Sequence, residues 1–150
     1  MIPNRAVIDT NVCLDLFVFC DRRYQPLLDA LNNGSLQAVT RADCRKEYAF
    51  VLNYPHLPLD ADSREAALAR FDALITLLAP EEKHDNIALP VCKDREDQKF
   101  MQLARDAQAS VLITKDKALL KLAKRNAKLG LFAILTPDIW QLNQSAKTNS

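Results

Sequence analysis

Four carboxylates in this chain sit where the surrounding pattern calls for an uncharged residue. Asp9 follows the apolar run Ala6-Val7-Ile8 and is itself followed by Thr10 and Asn11. A short apolar run that ends in an acid, a hydroxyl and an amide, with a helix-like segment behind it, reads as a buried strand feeding a helix. Asp9 then lies at the carboxyl end of that strand, the edge at which open α/β sheets bind ligands. Asp116 follows the run Val111-Leu112-Ile113-Thr114 after a single residue, Lys115, and takes the same edge if the two strands are parallel. Glu47 has Cys44 three positions before it and Val51 four after it, so it shares a helix face with apolar residues. Asp97 is followed by Phe100, Met101 and Ala104 at the same helical spacings, at a helix start that favours an acid. Each also has a plainer role: a cap for Asp9 or Thr10 and for Asp116, a dipole partner for Asp97, a surface acid for Glu47. Asp94 is either a helix cap or an auxiliary metal or water ligand, and Asp43 and Glu96 read as surface or first-turn acids.

Held close together, such carboxylates repel and raise one another's pKa. A divalent cation with hard oxygen ligands relieves that, and Mg²⁺ or Mn²⁺ suits the donor set. Zinc would want histidine or cysteine. Only His56 and His84 exist, and Cys13, Cys20, Cys44 and Cys92 show no C-x-x-C spacing, so the cysteines read as buried reduced thiols. One or two ions could acidify a bound water and stabilise a pentavalent phosphate, which makes metal-assisted phosphodiester hydrolysis the reaction class.

The elements that must position these acids follow from the pattern of the 150 residues, a length that favours one domain. Strands are expected at residues 6–8, 36–39, 110–114 and 131–135, with a weak candidate at 87–89. Helices are expected at 11–19, 24–31, 42–52 and 63–78, the last capped by Ser63, then at 94–107 and 117–128, with a helical turn at 137–142. Residues 80–86 read as a charged, mobile connection, and 143–150 as a disordered polar tail after a domain of residues 1–142. Strands alternating with helices imply an α/β/α sandwich around a central, mainly parallel sheet of four to five strands. No apolar run approaches the ~20 residues of a membrane span, and Asp9 and Asn11 stand where the apolar core of a signal peptide would begin. A cytoplasmic location without membrane association is the expectation.

On these residues the chain resembles the PIN-domain family of metal-dependent ribonucleases. The resemblance rests on Val7-Ile8-Asp9-Thr10-Asn11-Val12, on Glu47, on Cys92-Lys93-Asp94-Arg95-Glu96-Asp97 with Phe100 to Ala104, and on Val111-Leu112-Ile113-Thr114-Lys115-Asp116 with Leu119-Leu120. Thr136-Pro137 before the last helix fits the subgroup described as toxin components of toxin–antitoxin systems. The resemblance implies that Asp9, Glu47, Asp97 and Asp116 form an acidic quartet that holds Mg²⁺ or Mn²⁺. It implies that Asn11 orients the first acid by hydrogen bonding and that Thr114 is the polar residue beside the last acid. It also implies single-stranded RNA as substrate, frequent homodimers and, for toxins, an inhibitory antitoxin. Two departures stand out: Lys115 occupies a position where glycine is common, awkward if that position needs positive φ, and Arg95 and Glu96 replace more acidic or proline-containing runs.

Net charge is +1, which argues against coating nucleic acid through bulk charge but leaves room for a local basic patch. Lys117, Lys121, Lys124 and Lys128 share one face of the expected helix beside Asp116, either guiding an RNA backbone or forming the wet face of an amphipathic helix. Lys115, Lys117 and Lys121 are the nearest candidates for RNA contact; Arg22-Arg23 and Arg41, Arg45 and Lys46 are further ones. No aromatic-rich platform for RNA is visible. Two functional classes compete: an endoribonuclease, and a non-catalytic module binding RNA, single-stranded or structured, or a protein, for which Lys115 and the near-neutral charge speak. A phosphate-accepting signalling domain would also use acids, a Thr and a Lys, but the second strand ends at Val39-Thr40 with no acid before Asp43.

Overall fold

Five parallel strands carry the site. The structure, a computed structural model, describes residues 1–79 and 87–148. β1 (Ile2–Ile8), β2 (Gln37–Thr40), β3 (Ile75–Leu77), β4 (Ala109–Ile113) and β5 (Ala133–Leu135) pair in the order β3-β2-β1-β4-β5, every neighbouring pair parallel. An all-parallel sheet must be covered on both faces, which is why its strands read as continuous apolar runs rather than as alternation. The alternation reappears as a division between two cores. Ala6, Ile8, Ala38, Val111 and Ile113 point to one side, while Val7, Val39, Leu112 and Ile134 point to the other.

The first side is covered by α1 (Thr10–Phe17), α2 (Gln25–Asn33), α4 (Ala61–Leu74) and α8 (Pro137–Thr148), which contribute Val12, Leu16, Phe17, Leu27, Leu31, Phe71 and Trp140. The second side is covered by α5 (Gln98–Asp106) with Phe100, Met101, Leu103 and Ala104, and by α6 (Lys117–Leu120) with Leu119. Between α6 and β5 runs α7 (Ala123–Lys128). α3 (Ala42–Val51) contributes to both sides, with Cys44 in one core and Tyr48 in the other. The Tyr48 ring stacks on Phe71 at 4.4 Å, Phe17 meets both rings edge-on, and the Tyr48 hydroxyl donates to the Ala67 carbonyl at 3.0 Å. That cluster fixes the rotation of α3 and therefore the direction of neighbouring Glu47.

The chain runs outward from β1 through β2 to β3, then returns to place β4 on the other side of β1. The strand order thus reverses between β1 and β4, and the crevice beyond their carboxyl ends is where this architecture binds ligands. Among the described residues, no helix is long and apolar enough to cross a membrane.

Several expectations are corrected. The helix of 63–78 ends at Leu74, and Ile75–Leu77 form an edge strand. Its cap is Asp60, not Ser63; Ser63 closes a reciprocal capping box, its N–H bonded to the Asp60 carboxylate and its hydroxyl to the Asp60 N–H, both at 2.8 Å. Residues 87–89 form no strand. The helix of 117–128 is two helices, separated by a turn in which the Leu122 N–H reaches the Leu119 carbonyl at 3.0 Å. The segment from 143 is helical to Thr148, because α8 is anchored by buried Trp140 and by Gln141, which accepts from the Leu27 N–H and donates to the Arg23 carbonyl. All four cysteines are free; Cys13, Cys44 and Cys92 are buried, whereas Cys20 is exposed. The connection at 80–86, with His84, lies outside the described residues.

Candidate metal centre

The carboxyl ends of β1 and β4 deliver the first pair of acids. Asp9 follows β1 directly and caps α1: its Oδ1 accepts the Asn11 backbone N–H at 3.2 Å. Its Oδ2 accepts the Thr114 hydroxyl at 2.5 Å. That hydroxyl also accepts the Asp116 N–H at 3.0 Å, so one fully buried Thr ties the two acids together across the strand-order reversal. Asp116 in turn caps α6, accepting the Ala118 N–H at 2.7 Å. The capping roles weighed from the sequence are therefore real. They coexist with the site, because a helix N-terminus pointed at the crevice holds its capping acid there too.

The second pair comes from the loop before α5. Asp94 caps a short 3₁₀ turn, Arg95–Asp97, with its carboxylate on the Glu96 N–H at 3.0 Å, and α5 begins one residue after Asp97. Gln98 braces the loop, accepting the Cys92 N–H at 2.6 Å and donating to the Pro90 carbonyl at 3.2 Å. Asp94, Asp97 and Asp116 each present a carboxylate oxygen to a common point, all within 4.8 Å of one another. Asp97 Oδ2 is buried and has no hydrogen-bond partner.

Glu47 faces the same cleft from α3, but its oxygens are engaged. Lys99 Nζ lies 2.7 Å from Oε1, and the Thr10 hydroxyl donates to Oε2. The cleft, about 350 Å³, is lined by Asp9, Thr10, Asn11, Glu47, Val51, Asp94, Glu96, Asp97 and Asp116. The four acids singled out from the sequence thus share one pocket. The hydrogen bond that Asn11 makes to Asp9 comes from its backbone N–H, and its side chain is exposed.

The electrostatics are those of an acid cluster short of cations. The Asp97 carboxyl is pushed up to about 8, first by burial and then by the carboxylate of Asp116, with Asp9 and Asp94 adding to it. Burial likewise raises Asp9, partly offset by the Thr114 and Asn11 bonds. A group that leaves one buried carboxylate oxygen without a donor and holds its acid protonated near neutrality is a site shaped for a cation. The oxygens of Asp94, Asp97 and Asp116 are the hard donors Mg²⁺ and Mn²⁺ favour.

The basic candidates separate. Lys115 Nζ pairs with Asp15 at 2.5 Å, away from the acids, and its φ is not positive, so lysine in place of glycine is unstrained here. Arg23 pairs with Asp21, Arg41 with Asp43 and Asp106, and Arg45 with Asp72. Lys117, Lys121, Lys124 and Lys128 are exposed and form no ion pair among the described residues. Sequence reasoning missed an exposed aromatic row: Phe50 meets Tyr54 edge-on at 5.8 Å, and Tyr54 lies 5.7 Å from His56. Phe50 and Tyr54 stand three and seven positions after Glu47, and that helical spacing was the available signal.

A family model described as PIN domain matches residues 5–118, a span that contains every acid of the cleft. A search among curated proteins gives no significant match.

Proposed function

This chain belongs to the PIN-domain family, and from that premise we propose that it is a divalent-metal-dependent endoribonuclease that hydrolyses single-stranded RNA, acting as the toxin of a toxin–antitoxin pair. The observation that carries the reading is the convergence of Asp94, Asp97 and Asp116 on one point beside Asp9, at the reversal of strand order.

Asp94, Asp97 and Asp116 would hold the ion, and Asp9, pinned by Thr114, would supply further negative charge to the floor of the cleft. When bound, a divalent ion acidifies the attacking water and offsets the charge that builds on the phosphate. Asp97 would have to lose its proton to hold an ion, so binding would be tighter at higher pH. The reaction adds the water oxygen to phosphorus and breaks one P–O bond, leaving a phosphate monoester and a sugar hydroxyl. Lys117 and Lys121, in the segment that begins beside Asp116, draw the strand in through its phosphates without choosing sequence. The exposed rings of Phe50, on α3 with Glu47, and of Tyr54, just beyond the end of α3, offer stacking surfaces for unpaired bases. An antitoxin that occupies the cleft and a homodimer belong to the same proposal. Of the two observations behind the non-catalytic alternative, Lys115 is engaged by Asp15, while the near-neutral charge stands.

The test is end-labelled single-stranded RNA incubated with the purified chain in Mn²⁺, in Mg²⁺ and in chelator. Cleavage in either metal, absent in chelator and in Asp97→Asn, supports the reading; intact RNA at high enzyme sinks it. Growth arrest on expression, relieved by the product of a small adjacent reading frame, tests the toxin role separately.

A further inference from the structure

Lys99 forms the one ion pair with an acid of the cleft among the described residues, and its surroundings hold it there. It lies two residues after Asp97, on the first turn of α5. Its ammonium is 2.7 Å from Glu47 Oε1 and 2.8 Å from the Glu96 carbonyl, and it stands 5.4 Å from the centre of the Phe100 ring. Lys99 and Glu47 side chains are only 19% and 23% exposed, too sheltered for a solvated surface pair. With the Thr10 hydroxyl on the other oxygen, both Glu47 oxygens already have donors. The contrast within one pocket is sharp: Asp97 Oδ2 has no partner, and the acids whose oxygens converge are Asp94, Asp97 and Asp116, without Glu47.

We infer that Lys99 takes, beside Glu47, the place a second divalent ion would otherwise fill, so that the cleft binds one ion per chain. Lys99 is a positioning residue in this scheme. Its ammonium neutralises Glu47, aims that carboxylate away from the ion, and keeps a second cation out by like-charge repulsion. The inference rests on the metal-dependent reading above, but it concerns ion number and not RNA cleavage.

The experiment is calorimetric titration of the chelator-stripped full chain with Mn²⁺, with thermal melts confirming that each variant is folded. One ion per chain is expected in the native protein. Lys99→Met should reveal a second, weaker ion, and Lys99→Arg should keep one. Glu47→Gln should still bind one ion, whereas Asp97→Asn should lose it. Two ions in the native chain, one unchanged ion in Lys99→Met, or loss of the ion in Glu47→Gln would each overturn the inference, and no binding at all would overturn the metal-dependent reading with it. One ion per chain with that variant pattern, but with RNA left intact, supports the inference while the nuclease reading fails.

Discussion

The two ends of the sheet differ in a way that cavity size does not predict. At the amino ends of the strands, around Trp140, lie two cavities of about 540 and 490 Å³, larger than the acid cleft at about 350 Å³. Their linings are mostly neutral: Asn33, Ser35, Asn143 and Gln144, with Pro26, Leu36, Val111 and Leu135. At the carboxyl ends, the smaller cleft gathers six carboxylates, and one of them keeps its proton near neutrality. At the amino end Gln141 bridges α2 and the turn before it, and the unpaired buried oxygen there is the neutral amide oxygen of Asn126, beside the start of β5. The carboxyl end leaves a buried oxygen unpaired. A fold that tolerates such an unrelieved cluster is holding electrostatic strain that a ligand can release.

Neutralising one acid should separate the ends most clearly. Asp97→Asn removes a proposed ligand and the cleft carboxyl that is pushed up to about 8 together. Ion binding and RNA cleavage should fall sharply, a loss of about a hundred- to a thousandfold on the scale of removing one charge-stabilising group. The metal-free protein should melt at a higher temperature near neutral pH, because asparagine needs no proton taken up on folding, as Asp97 does. A variant that loses activity while also losing metal-free stability would contradict the strained-cluster picture. Trp140→Ala is the counterpart at the amino end. It empties a nearly buried indole from the core under α8 and should cost about 3–5 kcal/mol in denaturant unfolding, leaving Mn²⁺ affinity unchanged.

That asymmetry was only partly legible in the sequence. The acids could be found because each interrupts an apolar stripe, and Asp9 and Asp116 could be placed on one edge because parallel strands share it. What pairs with them could not. Lys99 and Glu47 are 52 positions apart and Thr10 and Glu47 are 37 apart, distances at which no local periodicity speaks. β3 was hidden because Leu74, Ile75 and Leu78 satisfy the helical period as well as a short buried run does. The extent of α8 was hidden because its polar outer surface resembles a tail, and the residues that anchor it, Trp140 and Gln141, act through tertiary contacts. The break after Leu120 has no glycine or proline to mark it. The sheet order, and with it the reversal between β1 and β4, came only from the structure.

Thr114→Val probes the link within the charged end. The hydroxyl donates to Asp9 and accepts from the Asp116 amide, so valine leaves both without that partner in a fully buried spot. Losing such a support behind a metal ligand should weaken Mn²⁺ binding by about 10–100-fold. The unsatisfied groups should cost about 1–3 kcal/mol of stability. Thr114→Ser, which keeps the hydroxyl, should recover most of the affinity. If serine fares no better than valine, packing and not the hydrogen bonds is what Thr114 contributes.

The smallest effect is the dependence of stability on pH. Asp97 titrates at about 8 in the folded chain against an ordinary 3.8. Between those values the folded protein keeps a proton that the unfolded chain has released, so the stabilisation is full below about 4 and is lost as pH rises through about 8. Asp9, also raised, acts with the same sign. The metal-free melting temperature should therefore decline across that window. Because Asp97 is partly open to solvent, the slope should be shallow, a few degrees in all. On the proposed metal-dependent reading, saturating Mn²⁺ would bind the deprotonated site and stabilise the folded state, so the two melting curves should diverge as pH rises. Asp97→Asn should flatten the metal-free curve. Trp140→Ala should lower the whole curve and leave its slope alone, because it removes no ionisable group. A slope that followed Trp140→Ala and ignored Asp97→Asn would place the pH dependence at the wrong end of the sheet.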